Sequence, residues 1–557
     1  MLITQLSEES PLCKDGFSED ERRQSYRRPS SSLYLTILAV VGISVLGIVL
    51  VFTCVVSRDT LYRDTATWIR SNLDHNIDPC NDFYRHVCAK FRGHDVFLQI
   101  EKAQEIAIKS LLMTPDLPVY FQRPWQKAAA MYQACVSFAS TFYPQTGDLV
   151  KWMILGKLDL TDEVVIGNID PAEMIVRGSL DLGIDILISI TLQKHEFASG
   201  KRAIQVGEWV KHFSKWTNGT YTGSNIINHG IHSTTILRNL FEDESVGKAG
   251  LQYLVAWSIY RQLIKLTDPY AFRYGRTAED ACYEHVMKVM SLAIYNHYFN
   301  STVPPRMVYQ TKRMVSRIRR AFEKALNSSS WMSADIRANA INKLANITVY
   351  VGSPGQRLDP RFVSKIYESY PDVPLKRPFE AWIKALSLST HYLWKDGTTF
   401  LYDEGDVNTY NLPLKKVILI PTAVMTRPLL YLYGPIGLNY GGLGMLSVTG
   451  EEEMWDDYKD SENLCDLVGT KVAYDAFASL PEKYKRIKLV GMDMSSEQLF
   501  FINHCVKWCA HLSKALPPHA PFRSRCIVPL MNMPEFAKAF NCAPGTPMNP
   551  KEKCSLW

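Results

Sequence analysis

Between Leu33 and Val56 the chain runs for 24 residues without a charged side chain (LYLTILAVVGISVLGIVLVFTCVV), and that run divides everything else into two sides. As a helix it is about 36 Å long, against a bilayer hydrocarbon core of about 30 Å. One crossing fits. A cleaved signal peptide has a shorter apolar core, roughly 7–15 residues after a brief basic start, whereas here 32 mostly polar residues come first. A retained anchor is therefore the expectation. Arg22, Arg23, Arg27 and Arg28 crowd the N-terminal flank, while the other flank opens with Arg58 balanced by Asp59. The positive-inside rule then places the N-terminus in the cytoplasm and the rest outside, a type II arrangement.

Cysteine usage agrees. Of 12 cysteines, Cys13 falls in the tail and Cys54 in the apolar run, which leaves Cys80, Cys88, Cys135, Cys282, Cys465, Cys505, Cys509, Cys526, Cys542 and Cys554 on the outer side. An even set in an oxidising compartment suits disulfides. Four N-x-S/T triplets, at Asn218, Asn300, Asn327 and Asn346, lie on the same side and predict glycosylation. A hydrophobic fraction of 46% is ample for a core, and a net charge of +6 without a contiguous basic block argues against a nucleic-acid partner.

Residues 1–32 are polar and Ser-rich and read as a disordered cytoplasmic tail, with 33–56 the transmembrane signal-anchor. Beyond them the periodicity is mostly helical: Thr65–Leu73, Ala103–Phe138 broken at Pro115–Pro124, Tyr253–Leu266, Ala281–Tyr298, Thr311–Leu326, and a helix through Leu344 that Ser333 can cap. Asn81 can cap the helix carrying Cys88. Strand signals are few: a hairpin over Asp185–Leu192 and Arg202–Val206, a short strand at Val349–Pro354, and the apolar run Val417–Ile420. The expectation is a mainly α chain with small β parts, an N-terminal helical domain over 57–400 and a C-terminal domain over 401–557.

Several blocks, in order, resemble the neprilysin and endothelin-converting-enzyme family of membrane zinc metallopeptidases. Asp78-Pro79-Cys80-Asn81-Asp82-Phe83-Tyr84 through Cys88 matches its opening; Val407-Asn408-Thr409-Tyr410 resembles its substrate-binding edge; Leu438-Asn439-Tyr440-Gly441-Gly442-Leu443-Gly444 matches the lead-in to its zinc helix. Ser496-Glu497-Gln498-Leu499-Phe500-Phe501, Trp508-Cys509 and Met548-Asn549-Pro550 through Trp557 complete the match across the ectodomain. The resemblance implies a neprilysin-like, zincin-derived, two-lobed ectodomain at the plasma membrane. It also implies the disulfides Cys80–Cys542, Cys88–Cys509 and Cys135–Cys282, with Cys505–Cys526 as the remainder and Cys465–Cys554 as a guess.

The family's chemistry needs two histidines at i and i+4 on one helix face, a glutamate beside the first as general base, and a carboxylate ligand from a second helix. Aligned from Gly441, the first histidine position holds Thr449, the base position Gly450 and the second histidine position Glu453. Glu462-Asn463-Leu464-Cys465-Asp466 keeps the third ligand, Glu462, and the orienting Asp466. Only eight residues separate Glu453 from Glu462, which predicts a turn and no room for the second helix to return. His195-Glu196 and the His229/His232 pair are near misses elsewhere. Glu451-Glu452-Glu453 reads in two ways: with Thr449 as a capping box starting a helix, or as carboxylates that, through Glu453 and Glu462, hold a hard cation. By the same resemblance His519 falls at the oxyanion position, Arg525 at the substrate-carbonyl grip, and Asn408 and Thr409 on the backbone-binding edge; each can equally persist as a packing residue.

Zinc, expected for the family, is therefore expected to be absent here, and the expected function is a catalytically inactive homologue that binds or regulates extracellular peptides. The rival is an active cell-surface zinc endopeptidase represented by a shortened isoform or faulty gene model. A homo- or heterodimer with an active relative is the third expectation.

Overall fold

A computed structural model of the chain describes residues 62–156, 170–184, 186–187, 239–373, 379–395, 402–412, 416–449, 451–452, 458–489, 491–511 and 519–554. The apolar run Leu33–Val56, Asn218, His195, Glu196, His229, His232 and Glu453 lie outside these residues, as does the expected hairpin apart from residues 186–187. The described chain is mainly helical.

Two compact units divide it, and both are discontinuous. The first gathers the described residues of Met1–Ala103, Thr302–Val351 and Val407–Trp557; the second gathers those of Gln104–Ser301 and Gly352–Asp406. The contiguous division expected at residue 400 is thus corrected. Cys80–Cys542 and Cys88–Cys509 join positions 462 and 421 residues apart, so the start of the ectodomain is tied to its end. Contacts of that range are invisible to local composition.

In the first unit, four short strands among the described residues, with Glu451–Glu452 as β4, form a sheet in the order β1-β3-β2-β4. Strand β1 (Thr348–Val351) runs parallel to β3 (Val417–Ile420), and β2 (Tyr410–Leu412) runs antiparallel to β3 with Tyr410 opposite Leu419. The Val417–Ile420 run is apolar and, apart from Leu419, β-branched, which suits a central strand, and Leu419 and Ile420 are buried. An aromatic core locks the helices of this unit: Phe83 meets Phe536 edge-on at 4.8 Å, Phe477 stacks on Phe500 at 5.7 Å, and Tyr474 stacks on Phe501 at 5.4 Å.

The second unit is a helical bundle. The break at Pro115–Pro124 ends Val96–Leu112 and starts Pro124–Ala139, with Pro124 at the first helical position. Cys135–Cys282 fastens Pro124–Ala139 to Ala278–Thr302, and Trp382, Phe272 and Phe138 fill the space between. Gly183 ends Pro171–Leu182 at φ 60, and a Cβ there would meet Thr390 Oγ1 at 2.8 Å, so the position suits glycine twice over.

Local readings fared unevenly. Ser333 caps Ala334–Ala345 through Ile336 N–H as expected, but Asp82 rather than Asn81 caps Phe83–Cys88, accepting from Arg85 N–H. The larger correction is at Thr449. No helix starts there: Met445–Thr449 is the end of a helix, and Glu451–Glu452 form β4, parallel to β2 with Glu451 opposite Tyr410. The open edge of β2 offers unpaired backbone groups, and a segment laid along it is satisfied at once. The return helix is corrected as well. Eight residues, Gly450 to Asp457, lie between Met445–Thr449 and Tyr458–Ala478, and the two helices pack against each other. Connections of that length are normal between antiparallel neighbours.

Candidate functional site

The site is built on glycines. Ile436–Asn439 and the π turn Tyr440–Gly444 lie directly on Ser496–Val506. A Cβ on Gly437 would sit 2.0 Å from Ser496 O, and one on Gly441 would sit 2.0 Å from Phe500 O. Only hydrogen fits. Asn503 rivets the contact by donating to Pro428 O at 2.9 Å and Leu438 O at 2.6 Å.

At the open end of this contact stand the inherited polar residues. Arg525, on Phe522–Met531, donates from Nε to Asp466 Oδ2 at 2.7 Å and from Nη2 to Oδ1 at 3.0 Å. The guanidinium lies 3.9 Å from the centre of the Trp508 ring. With side chains 10% and 5% exposed, the two form a desolvated, two-pronged pair. Asp466, expected to orient a histidine, and Arg525, expected to hold a substrate carbonyl, hold each other.

Two residues that sequence reasoning passed over complete the cluster. Lys507 is fully buried at the end of Ser496–Val506 and donates to Gly441 O at 2.7 Å. His504 sets its Nε2 3.2 Å from Cys526 O, an acceptor, so the ring proton sits there and Nδ1 is left to accept from Lys507 Nζ at 3.2 Å. Burial holds Lys507 well below the usual lysine value; Asp466 opposes this and Arg525 adds to it. Burial and then the Lys507 charge push His504 well below the usual imidazole range. The signal was available: Asn503, His504 and Lys507 interrupt the otherwise apolar run Phe500-Phe501-Ile502 to Trp508.

The remaining expected residues are dispersed. His519 is half-buried ahead of the helix carrying Arg525. Asn408 Oδ1 accepts from Thr409 N–H at 2.8 Å, and buried Thr409 donates its hydroxyl to Leu446 O at 3.0 Å, so this edge is fastened to the Met445–Thr449 helix. Just beyond, Tyr410 and Asn411 are paired with Glu451 and Glu452, so the chain itself fills that length of edge. Glu462 lies one turn before Asp466 on Tyr458–Ala478. Of the sequon asparagines, Asn300, Asn327 and Asn346 are exposed.

Four disulfides join Cys80–Cys542, Cys88–Cys509, Cys135–Cys282 and Cys505–Cys526. Cys465 and Cys554 are not joined to each other. The tail is held at Asn532, which accepts from Cys554 N–H at 2.7 Å. Asp466, the neighbour of Cys465, is gripped by Arg525, seven residues back and so about 10 Å along the same helix.

Family models decide the ancestry: residues 191–354 and residues 447–556 each match a model described as peptidase family M13. The chain belongs to peptidase family M13. It is 24% identical to neprilysin-3 of Drosophila melanogaster over 407 residues, 59% of this chain and 52% of that one. It is 25% identical to endothelin-converting enzyme 1 of Cavia porcellus over 311 residues, 44% and 40% of the two chains. The chain thus spans about half or less of the length of these M13 relatives. In fold it is similar to a Haemonchus galactose-containing glycoprotein complex (TM-score 0.57, 17% identity, 89% of this chain and 99% of that one). It is equally similar to the open state of a Mycobacterium tuberculosis zinc metalloprotease (TM-score 0.57, 14% identity, 86% and 100%).

Zinc is the metal this family implies, and the residues present do not fit it. Thr449 and Gly450 stand where a ligand and the base would, and the helix Met445–Thr449 is followed by the strand Glu451–Glu452, so the helix that would present two ligands on one face does not continue. Among the described residues no three His, Cys, Asp or Glu side chains gather as ligands, and no helix is long and apolar enough to cross a membrane.

Proposed function

We propose that this chain is a non-catalytic M13 ectodomain that binds or regulates extracellular peptides, anchored through Leu33–Val56 as a type II, glycosylated protein of the plasma membrane. The observation that carries this reading is the Asp466–Arg525 pair. A carboxylate with no histidine to orient has taken the arginine that would otherwise grip a substrate carbonyl, and neither group is left for peptide hydrolysis. Peptide binding then uses the surrounding inherited shell. The anchor rests on the uncharged run and the arginines before it; glycosylation rests on exposed Asn300, Asn327 and Asn346. Pairing with an active relative is compatible with the same reading.

Metal analysis of the purified ectodomain should find well under one zinc per chain and no chelator-sensitive cleavage of short peptides. One zinc per chain with such cleavage sinks the proposal. Thr449→His, Gly450→Glu and Glu453→His together should not restore turnover, because the helix stops at Thr449.

A second reading, an active zinc endopeptidase of which this sequence is a shortened form, is favoured by one observation: the chain spans 52% of neprilysin-3 and 40% of endothelin-converting enzyme 1. Sequencing transcripts across the codons for Met445–Glu462 separates the two, since a longer form carrying H-E-x-x-H restores the enzyme assignment.

A further inference from the structure

The helix Pro305–Ser328 (PRMVYQTKRMVSRIRRAFEKALNS) carries seven Lys and Arg against one carboxylate, Glu323. Seven minus one is six, which equals the formal charge of the whole 557-residue chain, +6. Along the sequence these residues are interleaved with apolar ones and form no block; folding sorts them. Met307, Met314, Val315, Ile318 and Leu326 turn into the core of the first unit, while Arg306, Lys312, Arg313, Arg320 and Lys324 are exposed and Arg317 is half-buried. Two are spent on the fold: Arg319 donates to the carbonyls of Leu344, Ala345 and Ile347 at the end of Ala334–Ala345, and Arg317 hydrogen-bonds the Tyr440 hydroxyl.

No carboxylate among the described residues forms an ion pair with the outward cations. What holds them is aromatic: Arg306 lies over Tyr433 at 5.6 Å and Arg313 over Tyr309 at 5.7 Å, contacts that steady a guanidinium without neutralising it. Like charges three and four residues apart destabilise a helix by a few tenths of a kcal/mol per pair, so the ladder is kept against its own repulsion. Arg306, Arg313 and Arg320 recur every seven residues, about 10 Å apart on one side, and the ladder from Arg306 to Lys324 is about 27 Å long.

We propose that this face is a docking surface for a linear, sulfated polysaccharide of the glycosaminoglycan class. The fit is one of charge and shape: a straight row of guanidiniums meets a straight row of sulfates, and the planar fork of arginine matches such oxyanions two oxygens at a time. Four disulfides place the surface in an oxidising compartment, where polysaccharides of this chemistry occur and nucleic acid does not. An anionic membrane fits less well, because the apolar side of the helix is already buried in the core and has nothing to insert. The proposal depends on the extracellular placement and is independent of whether the M13 site is catalytic.

The test is salt-dependent binding of the full ectodomain to immobilised heparin. Wild type is retained at physiological ionic strength. Arg306→Glu/Arg313→Glu/Arg320→Glu binds at least roughly tenfold more weakly and elutes at lower salt, while a charge-matched variant elsewhere, Lys483→Glu/Arg486→Glu/Lys488→Glu, elutes with wild type. Should the triple glutamate variant not fold, Arg306→Gln/Arg313→Gln/Arg320→Gln reads the same loss with less repulsion. Desulfated heparin, polyglutamate and phosphatidylserine-containing vesicles are the comparison ligands. Failure of wild type to bind, equal retention of the ladder variant, or equal binding of any comparison ligand overturns the proposal. Absence of zinc bears on the catalytic reading alone.

Discussion

Each unit of the chain buries a carboxylate against an arginine, and the two pairs differ in kind. In the second unit Arg357 meets Glu404 through Nε and, at 3.0 Å, through Nη2, and Ser353 Oγ donates to the same carboxylate at 3.1 Å. One cation faces one anion. In the first unit Asp466 faces Arg525 at hydrogen-bonding distance and Lys507 beyond it, so one anion serves two buried amines or guanidiniums. The first pair is a self-contained joint. The second is a polar centre with two further buried basic groups, Lys507 and His504, which desolvation pushes toward their neutral forms. Gly437 and Gly441 are held as glycines by packing, because a Cβ on either would strike backbone.

The sharpest way to break that contrast is to remove the shared anion. Asp466→Ala should cost about 3–5 kcal/mol, since it strands a buried charge, read as a fall in the urea midpoint at unchanged slope. Double replacement then tells the pairs apart. Arg357→Met/Glu404→Leu should recover to within about 1 kcal/mol of wild type, as balanced buried pairs often do, whereas Asp466→Leu/Arg525→Met should stay below it, because the stack of the Arg525 guanidinium on Trp508 is lost with the pair. Equal recovery in both would erase the distinction.

Acid should act on the second unit as well. His285 is half-buried against Trp382, with ring centres 5.1 Å apart, and desolvation holds it down at about 4. Its folded value lies below the unfolded one of about 6.5, so the unfolded chain takes up a proton that the folded chain refuses. Stability is intact above pH 6.5 and falls as pH drops towards 4, by roughly 3 kcal/mol. His285→Phe should flatten that window in a pH series of thermal midpoints. The smallest effect is expected at Lys507→Met: the desolvation penalty of a buried amine disappears while the bond to Gly441 O is lost, for a net change within about 1 kcal/mol. A loss several times larger would mean that Lys507 is charged and integral to the centre.

Much of the fold was legible because its signals are local. Ser333, Pro124 and the Val417–Ile420 run act within a few residues of themselves, and each formed the element expected of it. The misses share a cause. Glu451–Glu452 carry a helix-start pattern and became a strand because β2, forty residues earlier, had an edge to fill. The unit boundaries fell elsewhere because segments at both ends of the ectodomain fold together. At the site, the family resemblance singled out Asp466 and Arg525, but that the two pair with each other could not be read from it.

By itself, then, the sequence determined the family, the helical class, the absence of an H-E-x-x-H pattern and the cysteines that close the shell, because each depends on residue identity at fixed spacing. Tertiary structure alone decided that Asp466 turns to Arg525, that His504 and Lys507 join them, that β4 covers its neighbour's edge, and that a dispersed surplus of charge becomes one basic ladder. Those outcomes turn on which buried group has no other partner, and on which face of a helix the core leaves in water.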